Sequence, residues 1–372
     1  MGRFVVRRLL SAVLVIWVIV TLSFFLMRAA PGGPFDADRR LHPTVEANLW
    51  VTYGMADMIR SHKAGRVTDV LIQKGDTVSS HQPILRLDDG TTISSPRSGE
   101  CLSILVTTQD LVKPDQNVAA LKTPLVQQYL TAMASYLSLD FGVTFSSEGQ
   151  RTVFETIAQT APISMELGIY AMLIALFLGI PTGLVAGLRP NSWVDYTSMS
   201  MAMTGVSLSE IVLGPMLILV FAVHLGWFEL SGWATPSAKI LPALTLGLIY
   251  AAYFARLTRG GMLDVIRQDY IRTARAKGLP ESTIVVRHAL RGAILPSVTF
   301  LGPALAGTLT GSVVVERIYN IPGVSEFFVS GALNRDYPLV MGVVVLYSGL
   351  LVVMNLLVDI GYAFLDPRVK YD

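Results

Sequence analysis

Apolar positions gather into long runs with short polar breaks, and one long polar stretch interrupts the pattern near the start. Residues 9–27 are apolar except for Ser11, Thr21 and Ser23, and they follow Arg3, Arg7 and Arg8. The run exceeds the roughly 7–15 residues of a signal-peptide core and matches the roughly 20 that cross a bilayer, so a retained transmembrane helix is expected. Further runs cover 163–188, 194–228, 240–254 (continuing through Arg256), 294–315 and 339–364. Six spans result. At 35 residues, the run 194–228 is too long for one straight crossing.

Lysine and arginine in short loops orient such a chain. Eight lie between Arg256 and Arg291, and the two ends add Arg3, Arg7, Arg8, Arg368 and Lys370. With six spans these segments share one side, which is then cytoplasmic, as are both termini. The sparsely basic loops 229–239 and 316–337 fall outside. So does the long loop 29–160, whose own cations carry little weight because long loops translocate largely regardless of charge.

That loop contains an internal repeat of period 34. Gly65–Val78 aligns without gaps on Gly99–Val112, and Gln82 falls on Gln116 and Leu87 on Leu121. Between the copies, Asp88-Asp89-Gly90-Thr91 is a good hairpin turn, since Asp-Gly tolerates positive φ. Two similar β halves joined by a hairpin describe a small flattened barrel, and residues 60–122 resemble a biotinyl/lipoyl-type domain. Carrier domains of that family attach their cofactor to a lysine at the central hairpin. The hairpin here, Leu87 to Thr92, has none. The fold without the cofactor is expected, either as a spacer or as a docking surface for an external partner.

Composition agrees with a membrane protein. Hydrophobic residues make 52% of the 372-residue chain and charged ones 15%, against about 25% charged in soluble domains; mean hydropathy is +0.53. A net charge of +2 points to no nucleic-acid partner, and the single cysteine, Cys101, permits neither an intrachain disulfide nor a cysteine metal site. No P-loop pattern Gly-x-x-x-x-Gly-Lys-Ser/Thr occurs, and the five histidines have no metal-ligand spacing.

The most informative polar segment is 269–282. Residues 262–277 suit a helix, Gly278 stands as its C′ residue with Pro280 two positions on, and a second short helix runs from Glu281 to about Arg291. This helix–turn–helix elbow, between spans four and five, reads on charge alone as a solvated loop that enforces topology. It also resembles the cytoplasmic coupling loop of the permease subunits of bacterial ATP-binding-cassette importers. The residues that carry the likeness are Arg272-Thr273-Ala274, Gly278 and Leu295-Pro296, and the wording from Arg272 through Arg275, Ala276, Lys277 and Leu279 to Pro280 is close to that of the peptide-importer branch. The family's usual leading glutamate is Arg272 here. Further matches are Ala29-Pro31-Gly32 with Pro34 and Phe35, Leu41-His42-Pro43 with Ala47-Asn48, Leu139 to Gly142, Gly311-Ser312, Glu316, Ile318-Tyr319, Pro322-Gly323, Gly331 to Tyr337, and Asp366-Pro367-Arg368.

Ionisable groups within spans carry functional hypotheses. Glu210 sits midway in the long third run, and Ser207-Leu208-Ser209-Glu210 fits a capping box in which Ser207 and Glu210 satisfy the amides of a restarted helix. The alternative is that both line the translocation path. Glu166 is expected in the first turn of span two, where an acid suits the helix dipole, and Asp359 near the inner end of span six. Gly179, Gly183 and Gly187 in span two, and Gly307 and Gly311 in span five, form small-xxx-small faces for packing within this subunit or against a second permease.

The expected fold is an α-helical integral membrane protein of six transmembrane helices, of the type I importer permease class, with an extracytoplasmic β insert. The organisation is a first span 1–28, a linker 29–59, the lipoyl-like insert 60–122, an amphipathic segment 123–160, and a five-helix core 161–372 with coupling loop 256–292. The resemblance implies an oligopeptide permease subunit of a bacterial inner membrane, not itself an enzyme, forming half of a translocation path. It also implies a second homologous permease, two ATP-binding subunits that use ATP and Mg, an extracytoplasmic peptide-binding protein, peptide cargo and surrounding lipid, and no cofactor bound by this chain. Dipeptides, cell-wall peptides or another small solute are the alternative cargoes. A secondary transporter and a membrane sensor using the β insert as receptor are the rivals from other classes.

Overall fold

The computed structural model describes residues 2–29, 43–144 and 151–365. Of the motif residues above, Pro31, Gly32, Pro34, Phe35, Leu41, His42 and Asp366 to Lys370 lie outside the described residues, as do the side chains of Arg3, Arg7, Arg8 and Asp359. The chain divides into two compact units: Met1–Leu26, Glu155–Leu333 and Leu339–Asp372 form one, and Met27–Phe154 with Asn334–Pro338 the other.

The first unit is helical. Its long elements are α1 (Gly2–Ala29), α4 (Val153–Leu188), α7 (Pro236–Ile266), α11 (Leu295–Leu309) and α14 (Tyr337–Leu365). Between α4 and α7 lie α5 (Trp193–Ser207) and α6 (Glu210–Leu217), the latter continuing as a π-helical stretch to His224. Shorter helices are α8 (Asp269–Ala276), α9 (Glu281–Thr283), α10 (Leu290–Ala293), α12 (Val313–Ile318) and α13 (Val324–Leu333). Among the described residues five helices are long and apolar enough to cross a membrane, or six if α5 and α6, bent by 107°, count together as one span. The over-long third run is therefore broken into two helices.

Three local expectations need correction. α4 begins at Val153, ten residues before the apolar run, so Glu166 lies in the fourth turn and not in the first. There its carboxylate accepts from Lys239 Nζ at 2.7 Å, Trp233 Nε1 at 2.9 Å and Tyr170 Oη at 2.8 Å, which replaces the helix-dipole role. The helix expected over 262–277 is interrupted: α7 stops at Ile266, and extended Gln268 (ψ 147°) caps a new helix at Asp269. Gly311 belongs to no helical face. With φ +88° it is the hinge between α11 and α12.

Close packing of α4 on α7 explains the glycine spacing. A Cβ on Gly179 would stand 2.6 Å from Ala251 O and 2.7 Å from Phe254 Cβ. One on Gly187 would stand 2.7 Å from Met262 Cβ, and Gly183 faces Ala255 and Thr258 in the same way. All three glycines face a helix of their own chain. Apolar burial drives little association between helices surrounded by lipid, so backbone-to-backbone approach at small residues supplies the contact. Gly307 lies against the Tyr250 hydroxyl instead.

The second unit holds α2 (Pro43–Thr52), α3 (Leu125–Leu137) and eight strands: β1 (Ala56–Arg60), β2 (Gly65–Val70), β3 (Thr77–Val78), β4 (Pro83–Leu87), β5 (Thr92–Ser94), β6 (Gly99–Ile104), β7 (Leu111–Val112) and β8 (Asn117–Lys122). They form two antiparallel four-stranded sheets, β1-β8-β6-β3 and β5-β4-β2-β7. Adding the 34-residue period turns β2 into β6, β3 into β7 and β4 into β8 and lays β1 over β5, and exchanging the members of these four pairs carries one sheet's order onto the other's. Each sheet therefore mixes strands of both copies. The likeness extends to single bonds. Ser61 Oγ donates to Lys63 O as Ser95 Oγ does to Arg97 O. Gln73 N donates to Asp76 as Thr107 N does to Asp110, both at 2.7 Å. Ser79 N donates to Gln82 Oε1 as Lys113 N does to Gln116 Oε1. One apolar cluster, including Val67, Val78, Leu87, Ile93, Cys101, Val112 and Leu121, draws on both sheets. The Asp88–Thr91 hairpin forms as read, with Gly90 at φ +77°.

Candidate functional site

The elbow is built from a buried stripe and an exposed face. Ile271 and Ala274, three apart on α8, are buried in a cluster with Met262, Ile284, Val285, Ala289 and Ala293. Arg272, Thr273, Arg275, Ala276 and Lys277 turn outward. Asp269 stands in the first turn, where its charge suits the dipole, and Arg272 lies 3.5 Å from it.

α8 ends in a Schellman turn. Leu279 N donates to Ala274 O at 3.4 Å and Gly278 N to Arg275 O at 2.9 Å, while Gly278 adopts φ +78°. Pro280, extended at ψ 142°, caps α9, which runs through a π-helical stretch Ile284–Ala289 into α10. Across the turn Arg275 grips Glu281 with two bonds, Nη2 to Oε1 at 2.5 Å and Nε to Oε2 at 3.2 Å. That guanidinium holds the Glu281 carboxyl below its ordinary range. The result is a braced knob whose exposed surface alternates cations with apolar groups, among them Tyr270, Leu279 and Val286. Such a surface is suited to seating in a groove of another protein.

A second polar constellation lies at the breaks of the third and fifth spans. The capping box expected of Ser207 and Glu210 does not form. Ser209 is the N-cap, accepting from Ile211 N, and Ser207 Oγ donates back to Met203 O at 2.8 Å. Glu210 turns away from its own helix, and Ser312 Oγ, the N-cap of α12, donates to its Oε2. Four residues on, the buried Glu316 accepts from Ser164 Oγ of α4 at 2.7 Å and Ser325 N of α13 at 3.0 Å. Tyr319, which follows α12, shares a bond with Thr245 Oγ1 of α7 at 2.7 Å and donates to Gly214 O of α6 at 3.2 Å. α12 is thereby tied to α4, α6, α7 and α13.

Sequence reading gave no sign of the pair Asp195–Arg259. Asp195, on α5, takes two bonds from Arg259 of α7, at 2.5 and 2.7 Å, and its side chain is 2% exposed. Arg259 had counted as a loop cation. Its partner is 64 residues away, and no local pattern signals it.

Residues 179–371 match the family model of the binding-protein-dependent transport system inner membrane component. The oligopeptide transport system permease protein OppB of Salmonella typhimurium is 36% identical over 373 residues, covering all of both chains. The dipeptide transport system permease protein DppB of Bacillus subtilis is 35% identical, covering all of this chain and 98% of that one. The glutathione transport system permease protein GsiC of Escherichia coli is 38% identical over 68% of this chain and 81% of its own. A multi-pass helical architecture, a family model across half the length and end-to-end kinship with transport permeases converge: the chain belongs to the family of binding-protein-dependent transport system inner membrane components.

Proposed function

We propose that this chain is one permease subunit of an ATP-driven peptide importer, with oligopeptides as cargo. The observation that carries the reading is the braced elbow Asp269–Pro280, a rigid knob presented by a chain whose full-length relatives are named as oligopeptide and dipeptide permeases. In this reading Arg272 to Pro280 seat in a cleft of a cytoplasmic ATP-binding subunit. ATP-driven closure of two such subunits brings this elbow and that of a second homologous permease together and rocks the helices between two states. ATP and Mg belong to the ATPases, and an external binding protein delivers the peptide. The fold is the type I importer permease, and both termini face the cytoplasm, consistent with the cations of 256–291.

Residues 60–122 are a biotinyl/lipoyl-type module without its carrier lysine. The sheet exchange under the 34-residue period supports that reading. GsiC, whose alignment covers 81% of its own length but 68% of this chain, is the shorter protein, as expected if the module is an insertion. Of the two polar groups assigned to the translocation path, Glu210 keeps that role. Ser207 keeps it too: its hydroxyl donates back to Met203 O and retains acceptor capacity on an exposed side chain.

The test is peptide uptake and ATP hydrolysis by the reconstituted complex, with the intact chain and with 60–122 replaced by a short linker. Peptide-dependent uptake by the intact complex is expected. No uptake of any peptide, with a folded complex and working ATPases, would sink the reading. If the linker variant loses stimulation by the loaded binding protein but keeps basal hydrolysis, the module docks or gates; if both rates survive, it is a spacer.

A further inference from the structure

We propose that Trp193 and Trp227 anchor the two ends of the bent third span in opposite lipid headgroup layers. The proposal rests on the reading of this chain as a membrane permease and names the side chains that hold one of its spans at depth.

Three observations carry it. First, the two tryptophans stand at opposite ends of the helical unit. Contacts advance together along α4 and α7: Glu166 meets Lys239, Gly179 meets Ala251, Gly183 meets Ala255 and Gly187 meets Met262. The two long helices therefore run parallel, and the chain that leaves α4 at Leu188 has to return to the other end before it starts α7 at Pro236. The bent pair α5 and α6 makes that return. Trp193 opens α5 beside the C-terminal ends of α4 and α7, where Asp195 takes its bonds from Arg259. Trp227 follows the π-helical stretch toward the N-terminal ends, where Phe228 and Trp233 pack with Leu167 and Leu241.

Second, the pair has no length to spare. α5 has 15 residues, and α6 and its π-helical continuation have 8 and 7. At a rise of about 1.5 Å per residue each arm is about 22 Å long, and with a bend of 107° the ends lie about 26 Å apart. The hydrocarbon core is about 30 Å thick. A straight helix of as many residues would overshoot both boundaries, whereas the bent pair barely reaches them and needs its ends held there.

Third, both side chains are exposed on a fixed backbone and have the chemistry of that boundary. Trp193 is 76% and Trp227 63% exposed. An indole joins an apolar body to one polar N–H, which suits the headgroup layer. Trp233 spends its N–H on Glu166, whereas neither Trp193 nor Trp227 donates to a group among the described residues. Exposed Tyr196 lies one turn on from Trp193, and exposed Leu225 and Leu230 flank Trp227. Before α5, Asn191 N donates to the Asp195 carboxylate and Asp195 N to Ser192 Oγ. In the other loop, Trp227 N donates to Phe221 O at 2.9 Å and Gly232 N to Tyr319 O at 2.8 Å.

The test uses the complete complex, with its ATPases and binding protein, in bilayers whose phosphatidylcholine carries bromine either near the headgroup end of the acyl chains or near their tips. The emission of each tryptophan is the part lost in Trp193→Phe or Trp227→Phe. For both, bromine near the headgroup end is expected to quench about half of that emission and bromine at the tips much less. Sidedness is read from Pro190→Cys and Ser231→Cys, on the two exposed turns, because Cys101 is the chain's one thiol and is buried. A membrane-impermeant maleimide is expected to label Ser231→Cys in right-side-out vesicles and Pro190→Cys in inside-out ones, each about tenfold faster than in the reverse orientation. Emission of either tryptophan left unquenched by both lipids, with thermal unfolding of the phenylalanine variants as in the parent, would overturn the anchor and assign that side chain to water or a partner subunit. Labelling of both cysteines from one side would overturn the opposite placement. Peptide uptake is measured on the same preparations: if the parent complex moves no peptide, the permease reading fails, whereas quenching and labelling still decide the anchors.

Discussion

Gly278 offers the sharpest test of the elbow. Its φ of +78° is a conformation that L side chains avoid, and a Cβ built on it meets no atom within 4 Å. Steric clash is therefore absent, and any penalty is conformational. Entering the left-handed region costs an ordinary residue about 1–2 kcal/mol, somewhat more for a β-branched one and less for asparagine. At about 1.4 kcal/mol per tenfold, Gly278→Ala leaves the Schellman turn formed about 5- to 30-fold less often relative to its unwound alternatives. Once the turn opens, Leu279 N and Gly278 N lose their acceptors and Glu281 is no longer held opposite Arg275. Peptide uptake and recovery of the ATPases with tagged permease are the readouts, at matched expression. The expected order is Gly, then Asn, then Ala, then Val. Equal uptake for glycine, alanine and valine would refute the claim that this turn shapes the coupling surface. An order that followed side-chain volume alone, with asparagine below alanine, would show that crowding by a partner and not backbone strain is at work.

Other outcomes follow from the same geometry. Gly179→Val is expected to abolish assembly of a stable permease, because the Cβ would meet Ala251 O and Phe254 Cβ, whereas Gly260→Ala, with nothing within 4 Å, should stabilise by about 0.5–1 kcal/mol; thermal unfolding in detergent compares them. Asp195→Ala removes two charge-assisted bonds from the Arg259 guanidinium, which at 28% exposed can still reach water, and is expected to cost about 1.5–3 kcal/mol, read as a drop in the unfolding midpoint; an unchanged midpoint would contradict the pairing. In the β unit, Ser61→Ala and Ser95→Ala remove equivalent bonds and should each speed hydrogen exchange at the following loop to a similar degree, about 1 kcal/mol of local stability; a large effect at one site only would break the equivalence. Because Glu281 is held below its ordinary range by Arg275, the brace is present at neutral pH and is lost as pH falls through that depressed value. Coupling should therefore withstand mild acidification, and Glu281→Gln should mimic the low-pH behaviour in ATPase recovery at pH 7.

Much of the architecture was legible because lipid leaves few alternatives. A backbone in hydrocarbon must satisfy its own hydrogen bonds, so an apolar run of sufficient length implies a helix. The β unit was legible for a different reason: repetition at a fixed period shows itself in any one sequence. The Gly278 turn could be read because glycine before Leu-Pro is a local stop signal.

What escaped was long-range. Two serines precede Glu210, and the local rule selects Ser207 as cap. The structure selects Ser209 because Glu210 is drawn to Ser312, 102 residues away. The break at Arg267–Gln268 lies in a stretch of good helix formers, and the core formed by Ile271 and Ala274 with Ile284 and Ala293 sets the direction of α8. Arg259 looked like one more loop cation until Asp195 was placed beside it.

The pairing of β1 with β8 sets Ala56 opposite Lys122. The point where the chain enters the eight-stranded body and the point where it leaves are neighbouring strands of one ladder, about 5 Å apart. To the loop that carries it, the whole body occupies the width of a single strand pair. Such a module can be gained or lost by recombination without separating the residues on either side of the graft. Because both sheets draw strands from both repeats, neither copy completes a sheet by itself: a single copy transplanted alone would have to find its complement on a second chain.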